Sequence, residues 1–114
     1  MITLYGIKNC DTVKKARHWL DDNNQKYQFH DLRVDGLDSK TLSSWLSQVD
    51  NMTLLNKRST TWRQLSDSQK ANLSESNIKK LLLSNVTLIK RPVLEFNKKV
   101  YLGFSDKSYQ EIFN

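Results

Sequence analysis

The one cysteine of the chain, Cys10, is the residue with the clearest chemical potential. It lies in the stretch GIKNCDTVKKAR, between a short apolar run and a basic segment with helical character. A cysteine at the start of a helix meets unpaired N–H groups and the positive end of the helix dipole, which stabilise a thiolate. We therefore predict that Cys10 is a nucleophile whose pKa lies below that of a free thiol. The alternative is a small buried residue at a strand–helix junction.

The immediate neighbours of Cys10 favour the first of these interpretations. Lys8 and two lysines of the following helix add positive charge, which Asp11 opposes. The same helix end would bind an oxyanion or a carboxylate. Asp11 and Thr12 could orient the thiolate, although capping the helix is their simpler role. A single cysteine excludes an internal disulfide and a metal site made of cysteines alone.

Composition limits the class of protein and the kind of partner. The chain has 114 residues, which predicts one compact domain, and its net charge of +6 suits anionic partners such as phosphates, oxyanions or an acidic protein. The basic residues are spread along the chain and no nucleic-acid motif is present, so direct DNA binding is not expected. No apolar stretch is long enough for a signal peptide or a membrane span, which predicts a cytoplasmic protein.

The N-terminal third predicts the elements that must position Cys10. ITLYG (Ile2–Gly6) is typical of a strand, DTVKKARHWLDDNN of a helix, and KYQFHDLRV (26–34) of a second strand. Asp11 and Thr12 suit the start of the helix, and two asparagines suit its end. A strand–helix–strand unit of this kind makes a parallel pair.

The rest of the chain predicts a helical insertion and a return to strands. SKTLSSWLSQV favours a helix capped by Ser39. The stretch MTLLNKRSTTWRQL favours a short helix followed by a loop, in which Trp62 joins the core. Two more helices are predicted, in SDSQKANL and in SESNIKKLLLSN. VTLIKRPVLEF and KKVYLGF favour strands joined by a tight turn at Asn97 and Lys98, before a last short helix. The prediction is an α/β domain, 1–114, with a mixed sheet of about four strands. Its core spans 1–35 and 86–114, and its helical insertion spans 36–85.

A family resemblance agrees with this layout and covers nearly the whole chain. LYGIKNCDTVKKARHWL resembles the N-terminal motif of the ArsC-type reductases, and of their YffB-like branch in particular. The likeness continues through FHDLRVDGL, LLNKRSTTWRQL, LIKRPVLE and GFSDKSYQEIF. It implies a thioredoxin-like β-α-β…β-β-α fold, with Cys10 as the nucleophile and glutathione as the thiol that resolves its adduct. It also implies that Pro92 is cis and that Arg91 lies beside Cys10, where it would stabilise the thiolate and bind an anion.

The resemblance also defines the predicted pocket and the points where this chain departs from the pattern. The predicted anion- or glutathione-binding residues are Arg91, Lys8, Lys57, Arg58, Asn9, Asp11, Thr12 and Pro92. In arsenate reductases of this type two further arginines hold the oxyanion, where this chain has Asn56 and Gly103. The related Spx regulators, which bind RNA polymerase, carry a second cysteine at the position of Val13. No metal site is predicted, since His18 and His30 have no ligand spacing.

Three functions follow as hypotheses. The first is a glutathione-dependent thiol reductase. Its partners would be glutathione and, as a further thiol donor, glutaredoxin. The second is an Spx-like adaptor that binds RNA polymerase. The third is a true arsenate reductase.

Overall fold

The computed structural model describes all 114 residues and divides them into two compact units. The first unit is Met1–Asp35 with Arg91–Asn114, and the second is Gly36–Lys90. In the structure the second unit ends at Lys90, five residues after the predicted end of the helical insertion at residue 85. Residues 86–90 belong to the second unit because the N–H of Lys90 donates to the carbonyl of Leu54 (2.8 Å) and Leu55 pairs with Ile89 in a short bridge.

The first unit is built on a four-stranded mixed sheet, which confirms the predicted α/β class. Its strands are β1 (Ile2–Gly6), β2 (Tyr27–Asp31), β3 (Val93–Phe96) and β4 (Lys99–Leu102), in the order β2-β1-β3-β4. β1 and β2 are parallel, and the other two pairs are antiparallel. The predicted tight turn between β3 and β4 is also confirmed, because Asn97 and Lys98 both have positive φ angles (53° and 64°), as that type of two-residue turn requires.

Two helices supply the apolar partners of the sheet. They are α1 (Asp11–Asp22) and α7 (Asp106–Phe113). The buried cluster consists of Ile2, Leu4, Ala16, Leu20, Leu94 and Tyr109. Trp19 of α1 meets Tyr109 of α7 edge to face, with ring centroids 5.6 Å apart. Burial raises the pKa of Tyr109, because a phenolate in this apolar cluster would lose its hydration.

Two predicted strands are shorter in the structure than in the sequence pattern. β2 ends at Asp31, and not at Val34, because the Asp31 carboxylate accepts the N–H groups of Arg33 (2.9 Å) and Val34 (3.3 Å) and turns the chain. In VTLIKRPVLEF, Val86–Leu88 forms a 3-10 turn and the strand begins only at Val93. Leu88 and Ile89 are therefore buried without joining the sheet.

The second unit is helical. Its helices are α2 (Ser39–Leu46), α3 (Asn51–Leu54), α4 (Thr60–Gln64), α5 (Asp67–Ala71) and α6 (Glu75–Ser84). Its buried side chains are Leu42, Trp45, Leu54, Leu55, Ile78, Leu82, Leu88 and Ile89. The cap of α2 is Asp38 and not the predicted Ser39, because the Asp38 carboxylate accepts the N–H of Thr41 at 2.7 Å.

Candidate active site

Cys10 occupies the N-cap position of α1. Its backbone is extended (φ −85°, ψ 123°), and its carbonyl accepts the first helical bond, from the N–H of Lys14 at 3.0 Å. The helix begins at Asp11, as the sequence predicted, but its cap is Cys10, and Asp11 and Thr12 are the first two helical residues. The thiol is half-buried and makes no capping hydrogen bond. The N–H groups of the first turn therefore receive no bond from the N-cap side chain.

A close approach of α1 to β1 fixes where Cys10 lies. A Cβ atom at Gly6 would stand 2.7 Å from Cγ2 of Val13, closer than real side chains come. Glycine at the end of β1 therefore lets the first turn of α1 pack directly on the strand. The N–H of Cys10 donates to the carbonyl of Ile7 (3.1 Å), which closes the turn between strand and helix.

The strand register brings Arg91 and Pro92 to the same end of the sheet as Cys10. Tyr5 lies opposite Val93 in the antiparallel β1–β3 ladder, so Pro92 follows on beside Gly6, where the chain leaves for Cys10. The Arg91–Pro92 bond is cis, as the resemblance implied. Arg91 is half-buried and Pro92 is buried.

The other predicted pocket residues divide between the two units. Lys8, Asn9 and Asp11 are exposed and Thr12 is half-buried, all in the first unit, in the turn before α1 or in its first turn. Lys57 and Arg58 are exposed in the second unit. A pocket that combines both groups stays a prediction.

The three departures from the family pattern have clear local structures. Asn56 accepts the N–H of Arg58 through its side chain (3.1 Å), so it shapes the loop before α4. Gly103 lies at the same sheet end as Cys10, since its N–H donates to the carbonyl of Pro92 at 2.9 Å. Its φ of 75° is one that an arginine rarely adopts. Val13 is completely buried.

One buried carboxylate at this end of the sheet was missed by the sequence reasoning. Asp31 lies opposite Gly6 in the parallel β1–β2 ladder and is only 7% exposed. The sequence did offer a sign of it, because Asp31 is an acidic residue near the carboxyl end of the second predicted strand. That strand was expected to run parallel to β1, which leads to Cys10. Its bonds to Arg33 and Val34 give it a structural role in the turn after β2.

The two histidines lie apart from any metal-binding arrangement. His18 is exposed on α1, and the ring of His30 lies 4.7 Å from that of Tyr5. No group of three or more histidine, cysteine or acidic side chains is arranged to hold a metal ion. None of the helices has both the length and the hydropathy needed to cross a membrane.

Comparisons with known proteins find similarity along nearly the whole chain. The model of the ArsC family matches residues 5–112. An uncharacterized protein of Haemophilus influenzae is 50% identical over 113 residues, which cover 99% of each chain. The global transcriptional regulator Spx of Streptococcus mutans is 31% identical over 108 residues, which cover 93% of this chain and 78% of Spx. A solved structure of a YFFB protein superimposes with a TM-score of 0.94 and 42% identity, covering 97% of both chains.

Proposed function

Because the chain belongs to the ArsC family, we propose that it is a glutathione-dependent thiol reductase with Cys10 as its nucleophile. The observation that carries the proposal is a half-buried thiol at the N-cap of a 12-residue helix, where it makes no capping bond. The N–H groups and the dipole of that helix end favour a thiolate. Since the chain has no second thiol, the resolving thiol must come from outside, and free glutathione supplies it.

The proposed cycle consists of two thiol–disulfide exchanges. The Cys10 thiolate attacks the glutathionyl sulfur of a mixed disulfide, so that a Cys10–glutathione bond forms and the substrate leaves as a thiolate, which takes up a proton. A second glutathione, as thiolate, then attacks the sulfur of the bound glutathione. Glutathione disulfide leaves and the Cys10 thiolate is regenerated. In sum, one glutathione and one mixed disulfide become one substrate thiol and one glutathione disulfide, and glutaredoxin could replace glutathione in the second step.

Arg91 and the turn before α1 supply the proposed binding groups. Glutathione carries two carboxylates, and a guanidinium can bind a carboxylate through two parallel hydrogen bonds. Arg91 would bind one carboxylate at the sheet end where β1 leads to Cys10. Lys8, Asn9 and Thr12 would contribute from the turn and the first turn of α1.

The first test is the reaction of Cys10 with iodoacetamide as a function of pH and with glutathione disulfide. We expect the alkylation midpoint to lie below about 8.5, the reference value for a free thiol, and one glutathionyl group to be added per chain. A midpoint at or above that reference, or no adduct in the folded protein, would overturn the proposal. Because Cys10 is the only thiol, either signal belongs to it alone.

The second test measures turnover of a small glutathione mixed disulfide, coupled to glutathione reductase and NADPH. Cys10→Ser should abolish it, and Arg91→Ala should lower kcat/KM by at least about tenfold, as expected for loss of a charge-assisted bond. Lys90→Ala is the matched control, since Lys90 is the exposed cation next to Arg91 and should leave turnover unchanged. Equal losses in the Arg91 and Lys90 variants would contradict the role given to Arg91.

Arsenate is a less favourable substrate for this chain. Two of the three family arginines are replaced, by Asn56 and Gly103, and the positive φ of Gly103 disfavours an arginine there. We expect little arsenate turnover from the natural chain. Asn56→Arg with Gly103→Arg should raise it only if the backbone at Gly103 rearranges. High arsenate turnover by the natural protein would reverse this ranking.

An adaptor that binds RNA polymerase is the second candidate, favoured by the 31% identity to Spx. A disulfide switch is not available to this chain, because Val13 replaces the second cysteine and is buried against Gly6. Any adaptor role would then be independent of thiol oxidation. Co-purification of RNA polymerase with both the natural chain and Cys10→Ser would support it, and absence of the polymerase from both would count against it.

A further inference from the structure

A group of positive charges surrounds Trp62 in the second unit. Between residues 56 and 74 the chain carries Lys57, Arg58, Arg63 and Lys70 and a single carboxylate, Asp67. The local net charge is +3, half of the +6 of the whole chain. Trp62 and these four cations are called the Trp62 patch below. The cysteine chemistry proposed above does not account for the patch as a whole.

Trp62 is not the core residue that the sequence predicted. Its side chain is half-buried, whereas Trp45 in the same unit is completely buried. The ammonium groups of Lys57 and Lys70 lie over the Trp62 ring, 5.4 and 5.5 Å from its centroid. An indole face attracts cations, so one ring holds both lysines in place on the surface.

Local capping fixes the segments that carry the patch. The hydroxyl of Ser59 accepts the N–H of Trp62 at 3.1 Å and sets the start of α4. Ser66 and Gln69 form a reciprocal capping box at the start of α5, the helix that carries Lys70. Arg58 and Arg63 are exposed beside this frame. The backbone of α4 and α5, which carries Trp62, Arg63 and Lys70, is therefore ordered before any partner binds, which lowers the entropic cost of binding.

The arrangement favours a protein partner over a nucleic acid. Proteins that bind single-stranded nucleic acids offer a free aromatic face on which a base stacks. Here both lysines lie over the ring, so a stacked base would have to displace a cation. Carboxylates can instead contact the two ammonium and two guanidinium groups, while the exposed part of the indole provides an apolar contact. Tryptophan and arginine are also enriched at the centres of protein interfaces.

We infer that the Trp62 patch is a docking surface for an acidic segment of a partner protein, with carboxylates that contact Lys57 and Lys70 and an apolar side chain that contacts Trp62. This role goes beyond the proposed reductase activity and does not need Cys10. Charge complementarity of this kind increases association rates and excludes basic partners, and its strength falls as salt rises.

The test uses the full chain and two labelled probes of equal charge. One is a helical peptide with glutamates four residues apart and leucines between them, and the other is an oligothymidylate. Fluorescence anisotropy measures both affinities at low and moderate salt. We expect the peptide to bind more tightly, and the indole N–H signal of Trp62 to shift in NMR spectra. No binding of the peptide, or tighter binding of the oligothymidylate, would overturn the inference.

Charge-matched variants separate the patch from the net charge of the protein. Lys57→Glu with Lys70→Glu should weaken peptide binding by at least about tenfold. Lys40→Glu with Lys80→Glu changes the net charge by the same amount, at exposed positions of α2 and α6. This control should weaken peptide binding by less than about twofold. Equal losses in both variants would show that only net charge acts, which would overturn a defined surface. Cys10→Ser should bind the peptide like the natural chain, so this result and the reductase result are independent.

Discussion

The helix starts of α1 and α7, both in the first unit, differ in one way that bears on function. At α7, the Ser105 hydroxyl accepts the N–H of Ser108 and the Ser108 hydroxyl accepts the N–H of Ser105, both at 3.1 Å. At α1, Cys10 occupies the same position and forms no such bond, since sulfur is a weak acceptor. The first arrangement satisfies the helix end internally. The second leaves N–H groups that can stabilise a thiolate or a bound anion.

This contrast predicts that substitution of the N-cap residue has different consequences at the N-terminus of α1 and at the N-terminus of α7. A change at Ser105 should affect stability alone. A change at Cys10 should affect chemistry and leave stability equal or higher, because serine caps a helix better than cysteine does. Each prediction below tests one part of this difference.

The largest effect is expected for Cys10→Ser. Thiol chemistry should disappear entirely, while the free energy of unfolding should rise by about 0.5–1 kcal/mol from the new cap. Urea unfolding together with the glutathionylation assay measures both. A loss of stability would mean that the Cys10 side chain contributes more by packing than the half-buried thiol suggests.

Gly6→Ala should be the most destabilising change near the site. The added methyl group would meet Val13 at 2.7 Å, and overpacking of this kind costs about 1–3 kcal/mol. Adding Val13→Ala should reduce the further cost of the Gly6 change, because the two side chains share one space. Gly36→Ala is the control, since nothing lies within 4 Å of its Cβ position and only its φ of 73° opposes the change. Strictly additive costs at Gly6 and Val13 would contradict the close contact.

Ser105→Ala should lower the free energy of unfolding by about 1 kcal/mol through loss of the capping box. The rate of Cys10 alkylation should not change, because this cap acts only on α7. Urea unfolding and a single alkylation time course are sufficient to test this. A change in alkylation rate would show that the two helix ends are coupled.

The smallest effect is expected for Asp11→Asn, which removes the carboxylate that follows Cys10. Alkylation should become about two- to threefold faster, while stability falls by about 0.3–1 kcal/mol because an acidic side chain favours a helix start. Asp22→Asn, at the far end of α1, is the control and should not alter the alkylation rate. An unchanged rate in Asp11→Asn would mean that charges near Cys10 are screened by solvent.

Local signals in the sequence were sufficient for the elements that position Cys10. The short apolar run ITLYG, which ends at a glycine, and the helical spacing of Val13, Ala16 and Leu20 depend on neighbours only a few residues away, and both elements formed as predicted. The helix begins at Asp11, as predicted, and only its cap differs. The composition of the first turn suits Asp11 as a cap, but only the backbone angles identify Cys10 as the residue that occupies that position.

Other features depended on contacts that no short stretch encodes. VTLIK has the composition of a strand, yet its hydrogen bonds go to Leu54 and Asn56 of the helical unit, so it does not extend the sheet. Trp62 has the size of a core residue, yet it remains half-buried beneath two lysines that are separated by 13 positions in the chain.

The sequence by itself determined the fold class, the strand and helix that flank Cys10, and the residue most suited to nucleophilic chemistry, because these follow from local periodicity and from one reactive side chain. The family resemblance implied that Arg91 lies beside Cys10, but only the tertiary structure decided that Asp31 shares this end of the sheet with Cys10 and which cations gather at Trp62. Strand register places Arg91, Gly103 and Asp31 at that end, although they are far apart in the chain. Register and packing are set by the whole core at once, and no local pattern fixes them.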